Sequence, residues 1–184
     1  MKIALLLATG YEEGESLFVA DILRRAGFEA DLISTTKELW VTGAHGIKVE
    51  ADRLLDESAY HYDMVILPGG MPGATNLRDN PRVIDLIRYF DKEHKYIGAI
   101  CAAPIVLHAA GILAGRKMTS YPGENYESLF TEAAYCQERV VVDDRLITSR
   151  GPATTLPFAY AIVDLLGGDS TPLKRGMLYL DIEK

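Results

Sequence analysis

Short aliphatic runs alternate with stretches of helical periodicity along most of this chain, and few folds accept that order. Residues 2–8 form a continuous aliphatic run that reads as a fully buried strand. Residues 15–26 follow with Leu17, Phe18, Asp21, Ile22 and Arg25 at helical spacings, and Gly27 stands where a C-cap belongs. Further strands are expected at 28–34, 64–67 and 96–100. A helix opening on Asn80-Pro81 runs to about His94 with Val83, Ile84, Ile87 and Phe90 on one face, and another covers 102–110. Residues 40–41 and 47–49, separated by Gly43 and Gly46, read as a hairpin or an edge pair. Residues 117–120, 140–142 and 146–149 read as strands, the last two joined through Asp143-Asp144. Helices are expected at 154–166 and from Thr171-Pro172. Strands interleaved with helices in this way specify an α/β fold with a mostly parallel sheet covered on both faces.

The 184 residues suit one domain, 1–184, with enough apolar content (48%) for a sizeable core. The formal charge of −7, with no basic run longer than a pair such as Arg24-Arg25, argues against a nucleic-acid partner. Residues 96–115 carry no charge and reach the length of a membrane span, but Gly98, Pro104, His108, Gly111 and Gly115 interrupt them. A buried strand followed by a buried helix accounts for them better, so no membrane partner is expected. The opening apolar run is too short for a signal peptide, and acidic residues follow it at once. Two cysteines support neither a disulfide framework nor a Cys-rich metal site; they fit a reducing, cytoplasmic setting.

In a parallel sheet the ligand sits beyond the carboxyl ends of the strands. The segments 9–15, 68–75, 101 and 149–154 all follow expected strands and can converge there. Cys101 lies at the junction of a strand and a helix, flanked by small residues. Such a tight turn presents its side chain outward, as a nucleophile elbow does, and a helix start favours thiolate. The alternative is a small buried hydrophobe, and position alone leaves both open. Cys136 reads as structural.

Glu12, Glu13 and Glu15 follow the first strand. Helix capping is the default for any one of them, but Glu15 faces the crevice of Cys101, where a buried carboxyl would have a raised pKa. Gly70, in Pro68-Gly69-Gly70, and Ala102 can offer backbone amides as an oxyanion hole. Of the histidines, His61 and His94 read as solvated and His108 as a core residue. His45 can reach the site mouth or a neighbouring subunit. None follows Cys101 directly, so a Cys-His base is not evident.

ATGYEEGES after the first strand, ILPGGMPGATNL in the middle, AICAAPIVL at the elbow and TSRGPAT near the end resemble the ThiJ/PfpI superfamily. The resemblance is closest to the branch of the human parkinsonism protein and its bacterial homologues, and it covers essentially the whole chain. It implies a flavodoxin-like three-layer α/β sandwich with a nucleophile elbow, a homodimer, and a reactive cysteine at Cys101. It also implies that Glu15 hydrogen-bonds the sulfur and that Gly70 and Ala102 supply amides around it, with no metal and no cofactor. The activities it implies are cofactor-free conversion of methylglyoxal to lactate, deglycation and chaperoning, alongside oxidation of the cysteine to sulfinate. Two positions depart from the pattern. Tyr121 stands twenty residues past Cys101, where many relatives have a His, and His45 stands where relatives often have an Arg at the rim.

These readings leave an aldehyde enzyme, a redox-responsive protein without turnover and, least favoured, an amidase or peptidase. A phenol such as Tyr121 can hydrogen-bond a carbonyl but is a poor base near neutral pH.

Overall fold

A computed structural model describes residues 1–182. In chain order the elements are β1 (Lys2–Leu7), α1 (Glu13–Arg25), β2 (Glu29–Ser34), β3 (Trp40–Thr42), β4 (Lys48–Glu50), β5 (Arg53–Leu54), β6 (Met64–Leu67), α2 (Gly73–Arg78), α3 (Pro81–Lys92) and β7 (Tyr96–Ile100). There follow α4 (Pro104–Ala110), β8 (Lys117–Met118), α5 (Glu124–Glu127), β9 (Ala134–Tyr135), β10 (Val140–Asp143), β11 (Leu146–Ser149), α6 (Thr155–Leu165), α7 (Thr171–Gly176) and α8 (Tyr179–Ile182).

Seven strands form the central sheet in the order β10-β11-β7-β6-β1-β2-β5. All neighbours run parallel except the edge hairpin of β10 and β11. The aliphatic runs read as buried strands are buried: every residue of β1 after Lys2, and all of β6, is closed to solvent. Helices α1 and α6 pack together on one face, and α2, α3 and α4 on the other. The result is a three-layer flavodoxin-like α/β sandwich.

Local signals hold at several ends. The Asn80 side chain accepts from the Arg82 amide at 3.1 Å and caps α3, with Pro81 at its first position. Gly27 follows α1 in the left-handed region, and the Phe28 amide reaches back to the Leu23 carbonyl at 3.0 Å.

Three expectations need correction. Of the residues at helical spacing on α1 only Ile22 faces the core: Ser16, Val19, Ala20, Ile22 and Leu23 are buried, while Leu17, Phe18, Asp21 and Arg25 are exposed. The strand expected at 117–120 shortens to β8, which pairs with β9 in a small separate sheet. The helix expected from Ala102 begins at Pro104, because residues 101–103 form a tight turn. No helix among the described residues is long and apolar enough to cross a membrane.

Candidate active site

The carboxyl ends of β1, β6, β7 and β11 deliver four loops to one place. The loops after β1 and β6 are stitched by the Glu12 amide on the Gly69 carbonyl (2.9 Å) and the Gly73 amide on the Gly10 carbonyl (3.1 Å). The β3–β4 hairpin closes over the first of them, with the Gly10 amide on the Thr42 carbonyl and the Ala44 amide on the Tyr11 carbonyl, both 2.8 Å.

Cys101 sits directly after β7 with φ at 62°, in the left-handed region that costs a residue bearing a Cβ about 1–3 kcal/mol. The neighbouring loops impose that conformation. The Cys101 amide donates to the Ser149 carbonyl at 3.0 Å, and the Cys101 carbonyl accepts from the Tyr121 amide at 2.8 Å. The β11 side is in turn fixed by hydroxyls. Ser149 Oγ donates to the Arg139 carbonyl (2.6 Å) and pairs with Thr154 Oγ1 (2.7 Å), which accepts the Gly151 amide (3.0 Å).

Close approach around the sulfur depends on Gly69. A Cβ there would lie 2.7 Å from Cys101 Cβ, and 2.9 Å from both the Ala102 nitrogen and Glu15 Oε2. Because that space is empty, the Gly70 and Ala102 amides both bond the Cys101 sulfur and favour its charged form.

Glu15 is closed to solvent. Its Oε2 accepts the Gly69 amide at 2.7 Å and Oε1 has no hydrogen-bond partner, while the Cys101 thiol beside the carboxyl favours its charged form. Burial is the leading cause that pushes this carboxyl up to about 7, against the Gly69 hydrogen bond and the Cys101 thiol.

The thiol does not follow the expectation of a lowered pKa. It is buried, and α4 starts three residues further on. Burial first, then the Glu15 charge, push it up, against the Ala102 and Gly70 amides. A second negative charge in this pocket would oppose both burial and the first charge. The Cys101–Glu15 pair therefore gives up one proton near pH 7 and keeps the other to much higher pH.

The sulfur opens into a cleft of about 390 Å³ lined by Glu12, His45, Gly70, Met71, Cys101, Ala102, Tyr121, Tyr126 and Pro152. All six residues singled out in the sequence thus lie in or against one cavity, with Glu15 beneath Cys101. His45 takes the site-mouth option.

Glu12 and Glu13 do not cap α1 with their side chains. Glu13 is buried and its Oε1 accepts the His45 amide (2.8 Å) and the Ile47 amide (3.3 Å), while Oε2 meets His45 Nδ1 at 2.9 Å. Burial would raise the Glu13 carboxyl, but these hydrogen bonds outweigh it and hold it below its ordinary range. His45 is raised in turn, first by its bond to Glu13 and then by the charge of Glu12. Ligand atoms of Glu12, Glu13 and His45 lie within 4.8 Å of one another, although Glu13 already spends both oxygens on the hairpin.

Met71 and Pro152 lie in segments expected to converge here but are not singled out, and Tyr126 carries no sequence signal for the site. Outside it, His61 and His94 are exposed as expected. His108 is no core residue. It is half-buried, with Nδ1 2.6 Å from Glu132 Oε1. Cys136 follows β9 and is partly buried.

The DJ-1/PfpI family model matches residues 1–165. The chain belongs to the DJ-1/PfpI family. It is 37% identical over 169 residues to the DJ-1 homolog B of Arabidopsis thaliana, covering 91% of this chain and 38% of that longer protein. A deglycase of Pyrococcus horikoshii is 32% identical over 167 residues, covering 90% of this chain and 99% of the relative. The crystal structure of Drosophila melanogaster DJ-1beta superposes with a TM-score of 0.90 at 36% identity, covering 96% of this chain and 97% of that one.

Proposed function

We propose that this DJ-1/PfpI member is a cysteine-dependent enzyme acting on small reactive aldehydes in stress protection, of the glyoxalase or deglycase type. The observation that carries the reading is the Cys101 sulfur, bonded by the Gly70 and Ala102 amides and sharing a proton with the buried Glu15, at the floor of a small open cleft. The deglycase from Pyrococcus horikoshii, matched over nearly its full length, supports it.

The chemistry follows from those groups. Glu15, as carboxylate, takes the thiol proton while the sulfur attacks the aldehyde carbon of a 2-oxoaldehyde. A C–S bond forms, the carbonyl π bond breaks, and the oxygen takes the proton back to give a hemithioacetal. The amides of Gly70 and Ala102 stabilise the negative oxygen as it develops. Glu15 then removes the proton from the former aldehyde carbon to give an enediolate and returns it to the adjacent carbon, while the hydroxyl proton passes from the first oxygen to the second, leaving a thioester. Water cleaves the thioester to a 2-hydroxy acid and frees the thiol. Oxidation at one carbon balances reduction at its neighbour, so the route needs no added cofactor.

The decisive test is lactate production from methylglyoxal by wild type and Cys101→Ser with free thiols excluded. Turnover above background in the wild type alone is expected. A rate equal to that of the variant overturns the enzyme.

A second reading rests on the same sulfur. A Glu15 carboxyl that is half-protonated near pH 7, together with two amide donors, suits a sulfinate, so Cys101 would serve as an oxidation sensor. Absent turnover combined with a gain of two oxygens on mild peroxide would favour it. An amidase is least supported, because His45 is committed to Glu13 and the groups acting on the thiol are Glu15 and two amides.

The proposal extends to assembly and setting. The outward Leu17 and Phe18, with Ile47 across a groove of about 390 Å³, offer an apolar surface for a homodimer. Two free cysteines fit the cytoplasm.

A further inference from the structure

One wall of the cleft is aromatic. Tyr121 and Tyr126 meet edge to face with ring centroids 5.9 Å apart and planes at 65°. The Tyr121 ring rests on the backbone of Gly151, where a Cβ would come within 3.5 Å of its Cδ2. Tyr126 stands close enough to the sulfur for the Cys101 charge to act on its phenol. A group attached to the carbonyl carbon can therefore reach these rings from Cys101.

Apart from His45, the charges near the cleft are negative. Glu12 lines it and Glu13 and Glu15 lie behind it, with neither Lys nor Arg in the described lining. His45 is held by Glu13 at 2.9 Å and faces Glu12 at 3.4 Å. An incoming carboxylate would meet carboxylates with no uncommitted cation to answer it. A flat uncharged group would instead stack on the tyrosines at the separations that aromatic pairs prefer.

We propose that this cleft, read as the aldehyde site above, selects uncharged 2-oxoaldehydes bearing a flat aromatic group. It accepts aliphatic ones less well and carboxylate-bearing ones least. Tyr121 and Tyr126 are the specificity determinants for the aromatic group, and Glu12 is the determinant against anions.

The test compares phenylglyoxal, methylglyoxal and glyoxylate. The first readout is reversible adduct formation on Cys101, measured as slowing of its alkylation by iodoacetamide at short times. Each value is divided by the same aldehyde's adduct constant with a free small thiol, which removes intrinsic reactivity. The second readout is kcat/KM for consumption of phenylglyoxal and methylglyoxal, because glyoxylate has no second carbonyl to be reduced and can only form the adduct. Normalised phenylglyoxal should protect at about tenfold lower concentration than methylglyoxal, with glyoxylate weakest. Tyr126→Leu and Tyr121→Leu should each reduce the aromatic advantage, the pair together to within about twofold, and Glu12→Gln should narrow the gap for glyoxylate.

Equal normalised protection in the wild type, or an aromatic advantage that survives both Leu substitutions, overturns the selectivity. The predicted order of protection without any turnover upholds the selectivity and overturns the enzyme reading. Turnover with no preference does the reverse.

Discussion

Glu15 pays for its place at the sulfur in fold stability, and the sign can be stated. The carboxyl titrates near 4.5 in the unfolded chain and at about 7 in the fold. Between those values the folded protein holds a proton that the unfolded chain has lost, so stability falls as pH rises from about 4.5 to about 7 and is flat above. The whole effect is about 3 kcal/mol. Glu15→Gln removes it, and denaturant titrations at pH 5 and pH 8 should show the wild-type difference shrinking by that amount in the variant. A difference that does not change would mean that Glu15 is not proton-rich in the fold. The same substitution should abolish the rise in Cys101 alkylation rate through about pH 7 and reduce aldehyde turnover at least a hundredfold. Stability gained at pH 8 and activity lost would come from one atom pair.

At the scale of elements, the elbow holds because loops from four strands lock it. Gly69 is the glycine that lies against the cysteine itself. In Gly69→Ala the added methyl would press on Cys101, Ala102 and Glu15 together, and the first two cannot retreat without moving backbone. A loss of about 1–3 kcal/mol is expected, or roughly 2–12 °C in thermal midpoint, with slower alkylation of Cys101. An unchanged midpoint would show that the approach is looser than described. Much of this arrangement is legible in the sequence. Aliphatic runs mark β1, β6 and β7, and the abrupt passage from Ile100 through Cys101 to Pro104 marks the turn. What sequence does not show is which side of α1 faces inward. Leu17, Phe18 and Ile22 satisfy helical spacing, yet the inner face also takes Glu13, Glu15 and Ser16, polar residues held there by the site. Helix α2 escapes notice because six residues opening on glycine carry too little periodicity. Tyr126 escapes because nothing local marks a residue that a distant loop brings to the cleft.

For the whole molecule, the expectation is association through α1 and the β3–β4 hairpin. Phe18 is 49% exposed and Ile47 53%, side chains whose exposure in a monomer leaves apolar area in water. Sedimentation at micromolar concentration should give a dimer for the wild type and a monomer for Phe18→Glu. A monomeric wild type removes the proposal.

Helix α1 faces two ways within a single turn. Glu15 reaches inward to the sulfur, and two residues later Leu17 and Phe18 look out. The hairpin repeats the arrangement, with His45 at the cleft and Ile47 at the outer groove. Neither surface can shift without carrying the other. Dilution should then act as an effector in its own right: specific activity should decline as subunits separate, and a tightly held aldehyde should in return draw them together.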